Sequence, residues 1–172
     1  MHLRKRNGDV WKGLAGGIAG GLVASFVMNQ FQTFVSKMDE AAQEGKRRKK
    51  KSSQDEDATV KAASAVAENV FDHKLTADEK KIAGPAVHYA FGTLTGALYG
   101  AAAELAPATS ALRGLAFGTA VWLAADEITV PALHLAKPPG EVPPSKHAYA
   151  LASHFVYGLT ADAVRRWVRD TL

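Results

Sequence analysis

Charged and uncharged positions are segregated into long blocks along this chain. From Gly13 to Ser36, and again from Ile82 to Ala103, no residue carries a formal charge. At about 1.5 Å per residue, each tract forms a helix long enough to cross a hydrocarbon core of roughly 30 Å. Two further apolar tracts carry ionisable residues. Leu112–Leu135 is interrupted by Asp126 and Glu127, and His147–Trp167 ends among Arg165, Arg166 and Arg169. The pattern predicts four spans, near Val10–Val35, Ile82–Ala106, Leu112–Leu135 and His147–Trp167. Pro107 follows the second span, and Gly84-Pro85 suits its first turn. The short link Pro107–Ala111 makes the second and third spans antiparallel neighbours. The link between the third and fourth, Lys137–Pro144, is proline-rich and stiff. Between the first two spans, Ala58–Phe71 reads as a short helix with Val66, Val70 and Phe71 on one side.

Small residues recur at every fourth position of these spans. The rows are Gly13, Gly17 and Gly21 with Ser25 and Asn29; Gly92, Gly96 and Gly100 between His88 and Glu104; and Gly114 and Gly118 with Trp122 and Asp126. The fourth is His154, Gly158, Asp162 and Arg166. Residues four apart share a helix face. In water each interior glycine costs about 0.8–1 kcal/mol against alanine. In a bilayer, glycines let helices approach closely.

The rows also repeat in pairs. Gly13-Leu14-Ala15-Gly16-Gly17 matches Gly114-Leu115-Ala116-Phe117-Gly118, and His88-Tyr89-Ala90-Phe91-Gly92 matches His154-Phe155-Val156-Tyr157-Gly158. The expected fold is therefore all-α: a polytopic membrane four-helix bundle made of two tandem helical hairpins. It forms one domain over residues 1–172, with repeat 1 at 10–106 and repeat 2 at 112–169. Repeat 1 carries a charged insertion at 37–81. Chance matching of Ala/Gly-rich helices is the competing account of the Gly-Leu-Ala part.

Composition narrows the chemistry. The 172 residues are 47 % hydrophobic with a formal charge of +4. There is no cysteine, which excludes disulfides, thiolate metal sites and cysteine nucleophiles. Lys46–Lys51 form one basic run, followed at once by Asp55, Glu56 and Asp57. It reads as a solvated linker, or as a segment binding anionic lipid headgroups. No aromatics are interleaved, so nucleic acid is not an expected partner. Arg4-Lys5-Arg6 precedes an apolar tract too long for a signal peptide, which reads as a retained membrane helix.

The candidate chemistry lies in the ionisable residues within apolar spans. Asp and Lys cost about 2.5–3.5 kcal/mol at a helix centre, so they are expected to face the interior or a cavity. Asp126 shares a row with Gly114 and Gly118, whereas Glu127 shares a face with His134. Pro131 removes the hydrogen bond to the Glu127 carbonyl and is expected to kink the helix. With Asn29, His88 and His154, these residues form the expected polar cluster: His88, Asp126, Glu127, His134, His154 and Asn29. The competing reading ends the span near Ala125 and puts both acids among headgroups. Histidines titrate near neutral pH, so such a cluster passes protons; alternatively the histidines hold helices together. Glu104 is expected at the interface, within reach of Arg113. The metal-ligand spacing of histidines within one helix is absent, and no metal or cofactor is expected.

Trp122-x-x-x-Asp126-Glu127-x-x-x-Pro131, the proline-rich loop, and His147 with His154-x-x-x-Gly158 after a glycine-rich first span resemble the YagU-like inner-membrane proteins of bacteria. The resemblance covers most of the chain outside Lys46–Asp57. It implies a small polytopic protein of the bacterial inner membrane and supplies no agreed activity, so no catalytic residue is carried over. The expected function is proton- or ion-linked transport or membrane homeostasis, without enzymatic activity. The alternative is a structural or assembly subunit, a homo-oligomer or part of a larger membrane complex, joined through its glycine ladders. A lipid-directed enzyme is a third reading, for which nothing in the sequence requires a pocket. Both termini are expected on one side, the cytoplasmic one.

Overall fold

The uncharged N-terminal tract forms one helix, α1, Val10–Glu44. Asp9 starts it, its carboxylate accepting from the N–H groups of Trp11 (3.1 Å) and Lys12 (3.2 Å). The computed structural model describes residues 9–44, 57–110 and 112–172. Arg4-Lys5-Arg6 and the basic run Lys46–Lys51 lie outside the described residues. Helix α2, Ala58–Phe71, has the extent expected from the sequence, between an Asp57 cap and a left-handed Asp72. It buries Ala63 and Ala67, and leaves Val66, Val70 and Phe71 exposed.

Helix α3, Ala77–Leu105, begins a full turn before Ile82 because Thr76 and Glu79 form a reciprocal capping box. Pro85 consequently lies inside the helix and not in its first turn. Beyond a 3-10 turn, Pro107–Ser110, and a left-handed Arg113-Gly114 pair, α4 runs over Leu115–Trp122. It continues as a π-helical segment, Leu123–Thr129, and a last turn, α5, Val130–Ala132. The N–H of Val130 donates to the Ala125 carbonyl, five residues back. The kink expected at Pro131 takes this form: proline has no N–H for the Glu127 carbonyl, and the preceding turn widens. The proline loop leads to α6, Pro144–Thr171. The described residues contain helices and turns and no strand.

α1 is the central element because it has two glycine faces. Gly13, Gly17 and Gly21 meet Gly100, Gly96 and Gly92 of an antiparallel α3. Gly16 and Gly20 meet Arg165 and Ala161 of an antiparallel α6. A Cβ at Gly13 would lie 2.5 Å from the Gly100 carbonyl oxygen, and one at Gly20 2.6 Å from that of Ala161. The backbones thus approach as only glycine permits. α4 packs antiparallel on the far side of α6, Gly114 against Gly158 and Gly118 against His154. The glycine contacts of α1 with α3 and of α4 with α6 do not keep the register that the expected repeat implies. In the first, Gly92 meets Gly21. In the second, Gly158 meets Gly114, two turns from Trp122, which the sequence match would align with Gly21. A tryptophan and then Asp126 cannot occupy a backbone-contact row, so α4 slides until its two glycines do.

Several buried positions are polar or charged, and many large apolar side chains stand exposed. The largest side chains wholly withdrawn from the surface are Asp162, Ser25 and Ser153. Ile18, Leu22, Phe26, Leu94, Leu98 and Ile128 stand exposed. Large apolar side chains normally fill the interior. Here the apolar core is small: Ala24, Met28, Tyr157 and Ala161, with Phe117 and Val121 against them. By length and composition, one helix qualifies to cross a membrane, α1 over Val10–Ala41. The tracts in α3, α4–α5 and α6, expected as further spans, do not meet that measure among the described residues.

Candidate functional site

Three helices bring part of the predicted cluster together. α6 supplies His154, whose side chain is 9 % exposed, and the π segment supplies Asp126. Their closest atoms, Nδ1 and Oδ2, are 3.7 Å apart. His154 Nδ1 also lies 2.9 Å from the Ala150 carbonyl, to which it donates as N–H. α3 brings His88 within electrostatic reach of Asp126, as are Glu127 and Asp57. His88 Nε2 is buried and has no hydrogen-bond partner, while its ring stands edge-on to Tyr89 at 5.7 Å. α2 covers this end of the bundle: Val60 fills the hollow over Gly84, one turn before His88.

Glu127 has a different partner from the one expected. His147 Nδ1 lies 2.6 Å from Glu127 Oε1, and His147 Nε2 lies 3.1 Å from the Pro139 carbonyl. Both ring nitrogens face acceptors, an arrangement that suits an imidazolium donating from each. The contact ties the π segment to the proline loop and the first turn of α6. His134 does not join: it is exposed, and its backbone is left-handed (φ 58°) beyond the end of α5. Asn29 is also exposed on α1, and its carbonyl accepts from Thr33. Ser25, one turn earlier, is the α1 residue turned inward, its hydroxyl donating to Gly21.

A second polar cluster, not anticipated from the sequence, fills the opposite end. The Glu104 side chain is 1 % exposed, and it takes Arg169 through Nε (2.8 Å) and Nη2 (3.2 Å). Arg165 Nη1 stands 3.7 Å from the same carboxylate, and the Asp9 N–H donates to it at 3.3 Å. Asp162 accepts from the Tyr99 hydroxyl at 2.8 Å, from Arg165 Nη2 at 3.1 Å and from Arg166 Nη2. The Arg165 guanidinium also lies over the Tyr99 ring, 5.6 Å from its centroid. Hydrogen bonding to Glu104 pushes the Arg169 guanidinium further above its already high value. Glu104 meets Arg165 and Arg169, whereas Arg113 sits exposed in the turn before α4. The sequence did hold a signal for this cluster, since Asp162 stands on the Gly158 row and the Gly16/Gly20 face makes room for Arg165.

Hydroxyl groups lie between the clusters. Tyr157 donates to the Gly92 carbonyl (2.6 Å) and meets the Thr95 hydroxyl at 2.9 Å. Phe117 stacks on Tyr99, centroids 4.2 Å apart. Among the described residues, no three His, Asp or Glu side chains are grouped to hold a metal ion.

The model of a family described as a protein of unknown function, DUF1440, matches residues 53–163. The chain belongs to the DUF1440 family. YagU-like proteins belong to the same family, which gives no activity. The DUF1440 match includes His88, Asp126, Glu127, His147 and His154, together with Glu104 and Asp162. It does not extend over α1, so the glycine-rich first span of the resemblance lies outside it. No curated protein and no solved structure matches the chain.

Proposed function

We propose that this DUF1440 chain is a multi-pass protein of the bacterial inner membrane in which the His88–His154–Asp126 cluster exchanges protons, linked to ion movement or to membrane homeostasis. The observation that carries the reading is the approach of the Asp126 carboxylate to the largely buried His154, with His88 within electrostatic reach, in an assembly that exposes many large apolar side chains. The Asp126 carboxylate lies 3.7 Å from the His154 imidazole, close enough for a proton to pass with a small side-chain movement, and the unpartnered His88 Nε2 is a further site for one. The π segment supports the reading, because such bulges recur at functional sites. Asp9, Glu104 and Arg169 meet, which puts the two ends of the described chain at one end of the bundle and fits an even number of spans. α1 and α4 run parallel, as do α3 and α6, which suits two tandem hairpins about an axis along the membrane normal.

The test is proton flux into liposomes carrying the full chain. Flux should fall strongly in Asp126→Asn with His154→Ala; unchanged flux ends the proposal.

An assembly role is favoured by one observation: an apolar groove of about 540 Å³ along α1 and α3, lined by Ile18, Leu22, Tyr89 and Leu94 among others. Against it, the glycine ladders are occupied by the chain's own helices. Native electrophoresis of Leu22→Glu distinguishes the readings, since an assembly through this groove loses mass.

A further inference from the structure

We infer that the cleft between α3 and α4 holds an acyl chain of an anionic phospholipid, whose phosphate rests on Arg113 and Arg166. The inference rests on the membrane placement proposed above.

α3 and α4 touch sparingly, because the stacked Tyr99 and Phe117 rings hold them apart. The opening measures about 420 Å³, in the range of pockets that take one small ligand, roughly 300–1,000 Å³. Tyr99, Phe117, Leu98, Ala102, Ala116 and Ala120 are among the residues that line it. Its polar groups are engaged elsewhere. The Tyr99 hydroxyl donates to Asp162, and the Thr95 hydroxyl is bonded to Phe91 and Tyr157. A polar occupant finds no partner there, and a hydrocarbon chain needs none.

The turn Ala108-Thr109 lines the cleft at its end beside the arginine cluster. The next residue, Ser110, accepts from Arg166 Nη2 at 3.5 Å, and the Arg166 side chain is 42 % exposed. Arg113 lies in the same connection, exposed and without an ion-pair partner among the described residues. Asp162 is enclosed by Tyr99, Arg165 and Arg166, and Asp170 also acts on Arg166. Among the described residues Arg113 is therefore a cation without an ion-pair partner, in the connection between the cleft-lining Thr109 and Ala116. Basic pockets beside membrane helices recognise anionic headgroups in this way.

Native mass spectrometry of the full chain in detergent, with phosphatidylglycerol or phosphatidylcholine added, reads this directly. Phosphatidylglycerol should be retained in preference. Arg113→Gln, at an exposed position, should cut that preference roughly fivefold. Ala120→Trp, which fills the cleft, should abolish retention, with Ala116→Leu as a milder filling variant. Equal retention of the two lipids, or undiminished retention in both filling variants, overturns the inference. A soluble wild-type chain on cell fractionation would overturn it together with the membrane placement. A membrane-bound chain without lipid preference overturns this inference alone. Lost proton flux in the Asp126/His154 variant bears only on the proposed function.

Discussion

Glu104 on α3 and Arg169 on α6 form a two-pronged ion pair across sixty-five positions of sequence, with the carboxylate 1 % exposed. It closes the end of the molecule where α1 begins, since the Asp9 N–H donates to the same oxygen that accepts Arg169 Nη2. A carboxylate so buried is stabilising only while its partners stay in place. Glu104→Ala leaves Arg165, itself 3 % exposed, without its second carboxylate. The expected loss is about 3–5 kcal/mol, the cost of breaking a buried pair from one side. Thermal unfolding in detergent measures it, and a midpoint close to wild type would show the pair to be dispensable.

The glycine faces of α1 make a second prediction. A Cβ at Gly20 lies 2.6 Å from the Ala161 carbonyl, and one at Gly16 lies 2.8 Å from that of Arg165. Backbone cannot rotate away as a side chain does, so α6 must retreat. Gly20→Ala should cost about 1–3 kcal/mol, the usual range for overpacking. Gly140→Ala is the control: nothing lies within 4 Å of a Cβ there, and the change should stay within about 0.5 kcal/mol. Equal unfolding midpoints for the two variants would contradict the packing described.

The start of α3 depends on pH. The Thr76 N–H and hydroxyl, then His73, hydrogen-bond the Glu79 carboxylate and hold it below its ordinary value of 4.5. A group whose folded value is depressed stabilises above its unfolded value, and that contribution fades as pH falls through the folded one. The first turn, Ala77–Lys80, should therefore fray as the pH drops below about 4.5. In Glu79→Gln the fraying should be independent of pH over that interval. Amide exchange of this turn against pH reads both.

The uncharged blocks made α1 and α3 legible, and spacing alone delimited α2. What spacing could not give is which face packs. On α2 the small Ala63 and Ala67 are buried and the larger Val66, Val70 and Phe71 are not. Helical periodicity set Asp126 on one face with Gly114 and Gly118, and in the structure its carboxylate lies 3.7 Å from His154 Nδ1. It failed one residue later. A regular 3.6-residue helix aligns Glu127 with His134, but the π segment and the left-handed His134 break that period. The enclosure of Glu104 was not legible for a different reason: it comes from α1, α3 and α6 ending together, a convergence that no single stretch encodes.

The Glu127–His147 contact makes the last prediction. It joins the π segment to the proline loop through one imidazole, with Glu127 on Nδ1 and the Pro139 carbonyl on Nε2. A π turn is intrinsically less favourable than an α turn, so an outside contact must hold it. His147→Ala should accelerate amide exchange over Leu123–Thr129 and over Pro139–Glu141, while α4 ahead of it stays protected. It should also reduce proton flux, since Asp126 rides on the same segment one residue from Glu127. His134→Ala removes an exposed imidazole just past the segment and should leave exchange and flux unchanged. If both histidine variants behave alike, the π segment is held by Pro131 and its own helix, and the His147 contact is incidental.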